Sequence, residues 1–476
     1  MLLIDQLVKR WKTLDGSWRF AISAFLVARL FYSLWSWIIF TSQPLAVQNI
    51  TLSGEPVLTV FNLKTSEAYT YLREINGQSL TFRAASENMV TDLQTGSIWD
   101  SSTGMALRGH YTGFTLSPAR IPPSEIFPYH QATPHPGGWL AMWQRFDANW
   151  YISIAENGYG GIPGDDHFPP LFPILIRLIQ PLFGSTFLAG LFISHLATLY
   201  ALKLLYDVFL EWGGNPTGKR TLLFMLIYPT SFFLFSVYTE SLFLVTALLS
   251  LRSMRNRSWI WAGFWAFCAI LTRLQGVALI IPMLYLMWLD DSFLRKPVQW
   301  MGLILPATGS SLYLYLRSMQ VTSNVIPLVE SELHARLAPP WENYWYAIET
   351  FLSSHFSFVD VLNWAVVTLF IILLMTGWRR IPLEYNLYTA GSLLIMLMRI
   401  VETQPLNSMS RYSLTLFPGF FVLGLAGEDP WIQRVIAYTF IPLNLYLSAQ
   451  FFSWGWVAYI VQIIHHEIDP LFPPSH

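Results

Sequence analysis

Over most of the chain apolar residues run in long blocks rather than at alternating or amphipathic spacing. A helix needs about 20 such residues to cross the hydrocarbon core, and about eleven blocks, some broken by Pro or Gly, meet or approach that length. They predict spans at residues 19–40, 186–210, 221–235, 241–251, 259–271, 276–289, 298–316, 359–377, 387–400, 413–425 and 431–452. The block 168–183 (FPPLFPILIRLIQPLF) is apolar but rich in Pro and carries Arg177. Basic residues beside spans mark the cytoplasmic side. The clusters Lys9/Arg10/Lys12/Arg19, Lys219/Arg220, Arg252/Arg255/Arg257, Arg295/Lys296 and Arg379/Arg380 share one side only if 168–183 does not cross. That segment is therefore read as a re-entrant or interfacial helix pair on the outer face. The first span is too long and lacks the cleavage site of a removed signal peptide, so it reads as an anchor.

This topology places the N-terminus inside and the loop 41–174, the turns at 238–240 and 272–273, the loop 317–358 and the turn 401–412 outside. Residues 44–138 have the composition of a water-exposed domain. Alternating runs such as Val57-Leu58-Thr59-Val60-Phe61 and Leu80-Thr81-Phe82-Arg83, with Asn76-Gly77 and Thr95-Gly96 between and after, read as β-strands and turns. The organisation expected is an N-terminus and first helix (1–43), a β-rich extracytoplasmic insertion (44–138), and a membrane core (139–476) that includes juxtamembrane helices within 143–183. The stretch 75–109 resembles part of an uncharacterised bacterial extracytoplasmic domain with a Thr-Gly-Ser-x-Trp turn after an Asp. Copies of that domain often carry a Cys pair upstream, which is absent here. No internal repeat is evident, so a repeat-built transporter gains no support.

Composition agrees. The 476 residues are 53% hydrophobic and only 12% charged, against about 25% in soluble domains. With 28 basic and 29 acidic side chains, the near-neutral chain lacks the attraction on which sequence-independent nucleic-acid binding depends. The single cysteine, Cys268, excludes intrachain disulfides and multi-cysteine zinc clusters.

The few remaining charges gather on the outer face. After the insertion, residues 148–156 fit an interfacial amphipathic helix with Asp147 at its N-cap and Asn157-Gly158 as its stop. Asp165-Asp166-His167 follows within one short loop. The turn Tyr238-Thr239-Glu240 carries an acid, Leu271-Thr272-Arg273-Leu274-Gln275-Gly276 an arginine, and Ser410-Arg411-Tyr412 another. Ionisable groups at membrane depth are expensive and usually functional. Carboxylates and arginines on one face suit an anionic lipid-linked substrate and a proton acceptor. Arg29, midway along the first span, must face the bundle and find a partner. No carboxylate and histidine spacing makes a convincing metal site.

Four motifs in order, Phe-Asp-x-x-x-Tyr-x-x-Ile-Ala-x-x-Gly-Tyr (Phe146 to Tyr159), Phe-x-Pro-x-x-Pro (Phe168 to Pro173), Pro-Thr-Ser-Phe-Phe with Tyr-Thr-Glu-Ser-Leu-Phe (Pro229 to Phe243), and Leu-Thr-Arg-x-Gln-Gly (Leu271 to Gly276), resemble the PIG-V family. That family holds the second mannosyltransferase of GPI-anchor synthesis and its bacterial relatives. The resemblance covers most of the chain from Phe20 onward except the insertion, and departs from the usual pattern at Pro169 and Leu274. It implies an all-α polytopic membrane fold of the GT-C type and transfer of a sugar, mannose first, from a polyprenyl-phosphate donor to a hydroxyl, with inversion. The acceptor that the resemblance implies is a glycolipid or another extracytoplasmic hydroxyl.

The resemblance also implies roles. Asp147 matches the family's acidic residue in its first outer loop and is expected to be the general base, needing neither metal nor cofactor. Asp165, Asp166, His167, Glu240, Gln275 and Tyr412 are expected near the substrates, with Arg273 and Arg411 on the lipid phosphate. For Glu240 an ion pair with Arg273 is the simpler reading. His167 and His334 are equally read as solvated loop residues. The aromatics at 341–345 suit sugar stacking or interface anchoring. The expected location is a bacterial plasma membrane with the site outside, or the endoplasmic reticulum in a eukaryote. The rival readings are a lipid or solute transporter without chemistry and a GT-C enzyme using another lipid-linked sugar.

Overall fold

The computed structural model describes residues 11–455 apart from Gln43, Ser53, Pro136, Pro163, 291–296, 322–334, 353–356 and 402–404. Lys9, Arg10, Arg295, Lys296 and His334 lie outside the described residues. The chain is mostly helical, with β-sheet confined largely to its N-terminal third. It divides into two units, Met1–Tyr32 with Trp150–Ser448, and Ser33–Asn149 with Ala449–His476.

Hydropathy alone overstates helix length. Among the described residues four helices are long and apolar enough to cross a membrane, Gly16–Ser42, Thr186–Leu226, Phe358–Gly377 and Pro430–Phe452. Others in the expected set are shorter or interrupted. Two expected spans merge in Thr186–Leu226, whose backbone breaks at Gly214 (φ 72°, ψ −178°), and residues Ser231–Phe235 form a separate 3-10 turn. Likewise 276–289 is a 3-10 turn, Leu274–Leu279, followed by the helix Ile280–Trp288. The block 387–400 stops being helical at Leu397, and Arg399–Val401 pairs antiparallel with Ala335–Leu337. Helix Phe417–Ala426 starts only after the turn Ser413–Thr415. Non-helical backbone at membrane depth is tolerated where protein buries it, and Thr230, Thr239, Thr272 and Thr415 at these breaks are fully buried. The segment expected to be re-entrant or interfacial contains one 13-residue helix, Leu171–Phe183, about 20 Å long at 1.5 Å per residue. One face packs inward through Phe172 and Ile176, while Ile174, Leu178 and Leu182 are exposed.

Two contacts show how the membrane unit is held. Helices Trp259–Ile270 and Met301–Val321 approach through glycines, since a Cβ on Gly263 would lie 2.6 Å from the Gly302 carbonyl oxygen. Such small-residue seams let backbones pack where the lipid supplies no hydrophobic drive between helices. Asn444 joins three elements, donating to the Tyr228 carbonyl at 2.7 Å and to Ser231 Oγ at 3.0 Å, while Tyr32 donates to its Oδ1 at 3.1 Å.

In the other unit, strands Leu45–Leu52, Glu55–Asn62 and Ala68–Leu72 form one antiparallel meander, and Phe82–Ser86, Met89–Asp92, Ile98–Asp100 and Ala106–Arg108 form another. Leu58, Val60, Leu80, Phe82, Val90, Trp99 and Tyr111 share one buried core. The expected strand at 80–83 is corrected: Leu80 and Thr81 precede the strand, and Arg73 brackets Leu80 by accepting from its amide at 2.7 Å and donating to its carbonyl at 2.8 Å.

The structure also reveals a short repeat missed in the sequence. Asn62-x-x-Thr-Ser, Asp92-x-x-Thr-Gly and Asp100-x-x-Thr-Gly make the same hairpin turn. In each, the first side chain accepts from the backbone amide of the threonine, at 3.2, 2.6 and 2.8 Å. The fifth residue is left-handed in all three: Ser66 (φ 60°), Gly96 (72°) and Gly104 (71°). Asp92 also accepts from Trp99 Nε1 at 2.9 Å, so the turn is anchored to the core.

Candidate functional site

Glu240 opens the helix Glu240–Arg255 and is completely buried. A carboxylate at a helix N-terminus is favoured by the helix dipole, yet a charge so deep requires cationic partners. Arg273, in the extended residue before the 3-10 turn Leu274–Leu279, puts Nη1 2.6 Å from Glu240 Oε1 and 3.2 Å from Thr239 Oγ1. Arg411, in the one-turn helix Met409–Tyr412, puts Nε 3.4 Å from the same carboxylate oxygen. Two guanidiniums thus share one carboxylate. Tyr412 packs with both: its ring centre is 4.7 Å from the Arg273 guanidinium carbon and 4.9 Å from that of Arg411. Phe233 and Tyr238 also face Arg411, at 5.4 and 5.3 Å. Such ring faces attract cations. Glu240 Oε2 accepts no hydrogen bond among the described residues.

The segment that presents Arg411 is tightly held. Thr230 donates to the Ser410 carbonyl at 2.7 Å, and Asn363 accepts from the Ser410 amide at 2.9 Å. Leu406 (φ 56°) and Ser408 (φ 62°) are left-handed without being glycine, which costs of order 1–3 kcal/mol each and persists where surrounding structure over-determines it. Gln275 sits alongside, donating to Thr415 Oγ1 at 2.9 Å, and Thr415 donates to the Tyr412 carbonyl at 2.7 Å.

Asp165, Asp166 and His167 lie together in one 3-10 turn. Asp165 is buried, accepts from the Gly160 amide at 2.7 Å, and has an Oδ1 without a hydrogen bond among the described residues. Burial raises its pKa above the ordinary carboxylate value, only partly offset by the Gly160 amide. Asp166 Oδ1 lies 3.1 Å from His167 Nδ1. The structure therefore brings Glu240, Arg273, Arg411, Tyr412 and, at one remove, Gln275 together, and groups Asp165 with Asp166 and His167. Asp147 belongs to the other unit. It is the first residue of its helix, Asp147–Asn157, rather than the cap before it, and follows left-handed Phe146 (φ 51°). Gly158 ends that helix in the left-handed conformation. Arg29 is half-buried, and Trp341 and Trp345 are exposed.

Sequence reasoning passed over Thr239, Tyr151 and Tyr238. Tyr151 Oη lies 3.3 Å from Thr239 Oγ1, the oxygen that also accepts from Arg273. The ring of Tyr151 packs against Phe168 and Phe172, each at 5.2 Å. All three residues stand inside the motifs quoted above, which is the signal that could have found them.

Residues 167–313 match the family described as dolichyl-phosphate-mannose-protein mannosyltransferase. The matched stretch contains Glu240, Arg273 and Gln275, and ends before Arg411. The family matched is not PIG-V, to which the motifs pointed. No curated protein matches the chain. Solved structures of ArnT from Cupriavidus metallidurans are distant neighbours. The form bound to undecaprenyl phosphate is 13% identical, with a TM-score of 0.38 over 62% of this chain and 67% of that one. The apo form is 16% identical, with a TM-score of 0.39 over 60% of this chain and 55% of that one.

Proposed function

We propose that the chain is an inverting membrane glycosyltransferase of the GT-C type, related to the PIG-V enzymes, that transfers mannose from a polyprenyl monophosphate to a hydroxyl outside the cytoplasm. The observation that carries this reading is the pair Arg273 and Arg411 converging on the single carboxylate of Glu240. A buried guanidinium, Arg411, and a largely buried one, Arg273, against one acid leave a net positive charge in a low-dielectric site, where it acts more strongly than in water. Guanidinium forks match phosphate geometry. The family matched by residues 167–313 is named for a mannose carried on dolichyl phosphate, the donor chemistry such a site suits.

In the proposed reaction the acceptor oxygen attacks C1 of the donor sugar. The bond from C1 to the phosphate oxygen breaks, and the polyprenyl phosphate departs with that electron pair. Arg273 and Arg411 stabilise the growing negative charge on the phosphate, interactions worth most where charge develops. Asp147 takes the hydroxyl proton as general base. Phosphate is a good enough leaving group to need no strong acid. Asp165, Asp166 and His167 help position the acceptor, and Gln275 and Tyr412 border the donor. The insertion, 44–138, lies on the outer face of a plasma membrane.

The test incubates membranes carrying the full chain with labelled polyprenyl-phosphate mannose and hydroxyl acceptors, comparing wild type with Asp147→Asn. Loss of a general base lowers the rate by about 10²–10⁴-fold. Turnover retained in the variant rejects Asp147 as the base, and donor moved without transfer to any acceptor favours a transporter.

A further inference from the structure

At the end of helix Phe358–Gly377, within the membrane unit, lies a cavity of about 610 Å³ lined by Leu374, Met375, Thr376, Trp378, Arg379 and Arg380. That volume falls within the range of small-molecule sites, about 300–1,000 Å³. The chain leaves the helix here through a turn that holds its shape. Asn386, itself buried, donates to the carbonyls of Trp378 and Ile381, each at 3.0 Å. The Gly377 carbonyl accepts from the amides of Arg380 at 2.8 Å and Ile381 at 3.1 Å. Three carbonyls at the negative end of the helix are thus met by donors, which lessens their repulsion of an anion beside the two guanidiniums.

Other arginines on the basic flank are already engaged. Arg255 lies 2.7 Å from Glu211 and 3.5 Å from Glu384, Arg257 lies 3.5 Å from Asp290, and Arg220 donates to the Gly424 carbonyl at 2.6 Å. Among the described residues neither Arg379 nor Arg380 takes an ion pair or a side-chain hydrogen bond, and both are exposed. The lining holds no acid, so a zwitterionic headgroup finds no partner there for its ammonium, whereas an anionic one meets two cations. Guanidinium forks match phosphate geometry. Away from the arginines the surface is apolar: Ile372 and Met375, one helical turn apart, are exposed. Trp378 is exposed between the charged and apolar parts, and tryptophan sits at headgroup level in membrane proteins.

We propose that this cavity seats the headgroup of an anionic phospholipid from the cytoplasmic leaflet, its phosphate on Arg379 and Arg380 and its acyl chains along Met375 and Ile372. The leaflet follows from the basic flank, and basic pockets at that surface are suited to anionic headgroups. A lipid covers both the cations and the apolar surface beside them, whereas inorganic phosphate covers only the cations. None of the residues assigned to sugar transfer takes part, so the site stands or falls independently of the transferase function.

The experiment titrates the full-length protein in detergent with phosphatidylglycerol or phosphatidylcholine and counts bound lipids by native mass spectrometry. Wild type should bind one phosphatidylglycerol more tightly than the rest and show no such preference for phosphatidylcholine. Replacing both arginines, Arg379→Gln with Arg380→Gln, should weaken that site at least about tenfold, or about 1.4 kcal/mol. Thr376→Glu, which sets an acid in the lining at an exposed position, should weaken it similarly with both arginines in place. Lys219→Gln, elsewhere on the basic flank and also exposed, should leave it within about twofold. Phosphatidylglycerol binding unmoved in both the double variant and Thr376→Glu, or lowered as much by Lys219→Gln, overturns the proposal. Displacement of the lipid by millimolar inorganic phosphate overturns it as well, since the site would then be one for a free anion.

Discussion

Replacing Glu240 by Gln tests whether the arginine pair is a phosphate site or a structural knot. Arg273 Nη1 and Arg411 Nε sit 2.6 and 3.4 Å from the same Glu240 oxygen, so those two nitrogens are no more than about 6 Å apart by the triangle rule. Two unit charges at about 6 Å repel by about 3 kcal/mol at an effective dielectric constant of about 20. The uncharged amide leaves that repulsion unrelieved, which agrees with the 3–5 kcal/mol typical of breaking a buried pair. The ligand-free variant should therefore melt several degrees below wild type. A bound phosphate does what the carboxylate did, and no longer competes with it for the guanidiniums. Polyprenyl monophosphate should then bind the variant at least tenfold more tightly, about 1.4 kcal/mol, and raise its Tm more than that of wild type. Thermal unfolding in detergent across a polyprenyl monophosphate titration measures both effects. A variant that melts like wild type, or binds the lipid phosphate no better, would refute the reasoning.

Two stability predictions accompany it. Asn444→Leu strips hydrogen bonds from Tyr32, Ser231 and the Tyr228 carbonyl and should cost about 1–3 kcal/mol, read as a lower Tm; an unchanged Tm would show the network to be dispensable. In the β-rich unit, burial pushes Asp92 upward, but hydrogen bonds from Trp99, Thr95 and Ser97 outweigh it and hold its pKa below the ordinary value. Its contribution is therefore full above the unfolded value of about 3.9 and is lost as pH falls through the lower folded value. Acid titration followed by near-UV circular dichroism should show unfolding of the β-rich unit below about pH 4, and Asp92→Asn should flatten that dependence while lowering stability at pH 7; a variant with the same acid profile would rule Asp92 out as its source.

The limits of sequence reading are clearest at the helix ends. Hydropathy located apolar blocks but not where helices stop, because a Thr or Gly within an apolar run continues or breaks a helix according to what the neighbouring elements offer its backbone. The segment from Ser231 to Phe235 is as apolar as its surroundings, yet it leaves the helix. The nearby Ser231 Oγ satisfies the Leu226 carbonyl at 2.6 Å. The three Asn/Asp-x-x-Thr turns were present in the sequence but unnoticed, since Asn62 and Ser66 disguise the first of them. The glycine seam at Gly263 and Gly302 has no local signal, because each residue matters only when the other faces it.

By itself the sequence determined that this chain lives in lipid, that residues beyond the first helix form β-structure, and that Glu240, Arg273 and Arg411 are charges lodged in apolar surroundings. Those properties follow from composition and local pattern, which act through transfer energies and short-range backbone preference. Only the tertiary structure decided that these three charges meet on one carboxylate oxygen with Tyr412 packed against both cations, and that Asp165 is buried. Convergence across such distances in the chain depends on how broken helices pack, and each of these side chains is stable at its depth only because the others are there.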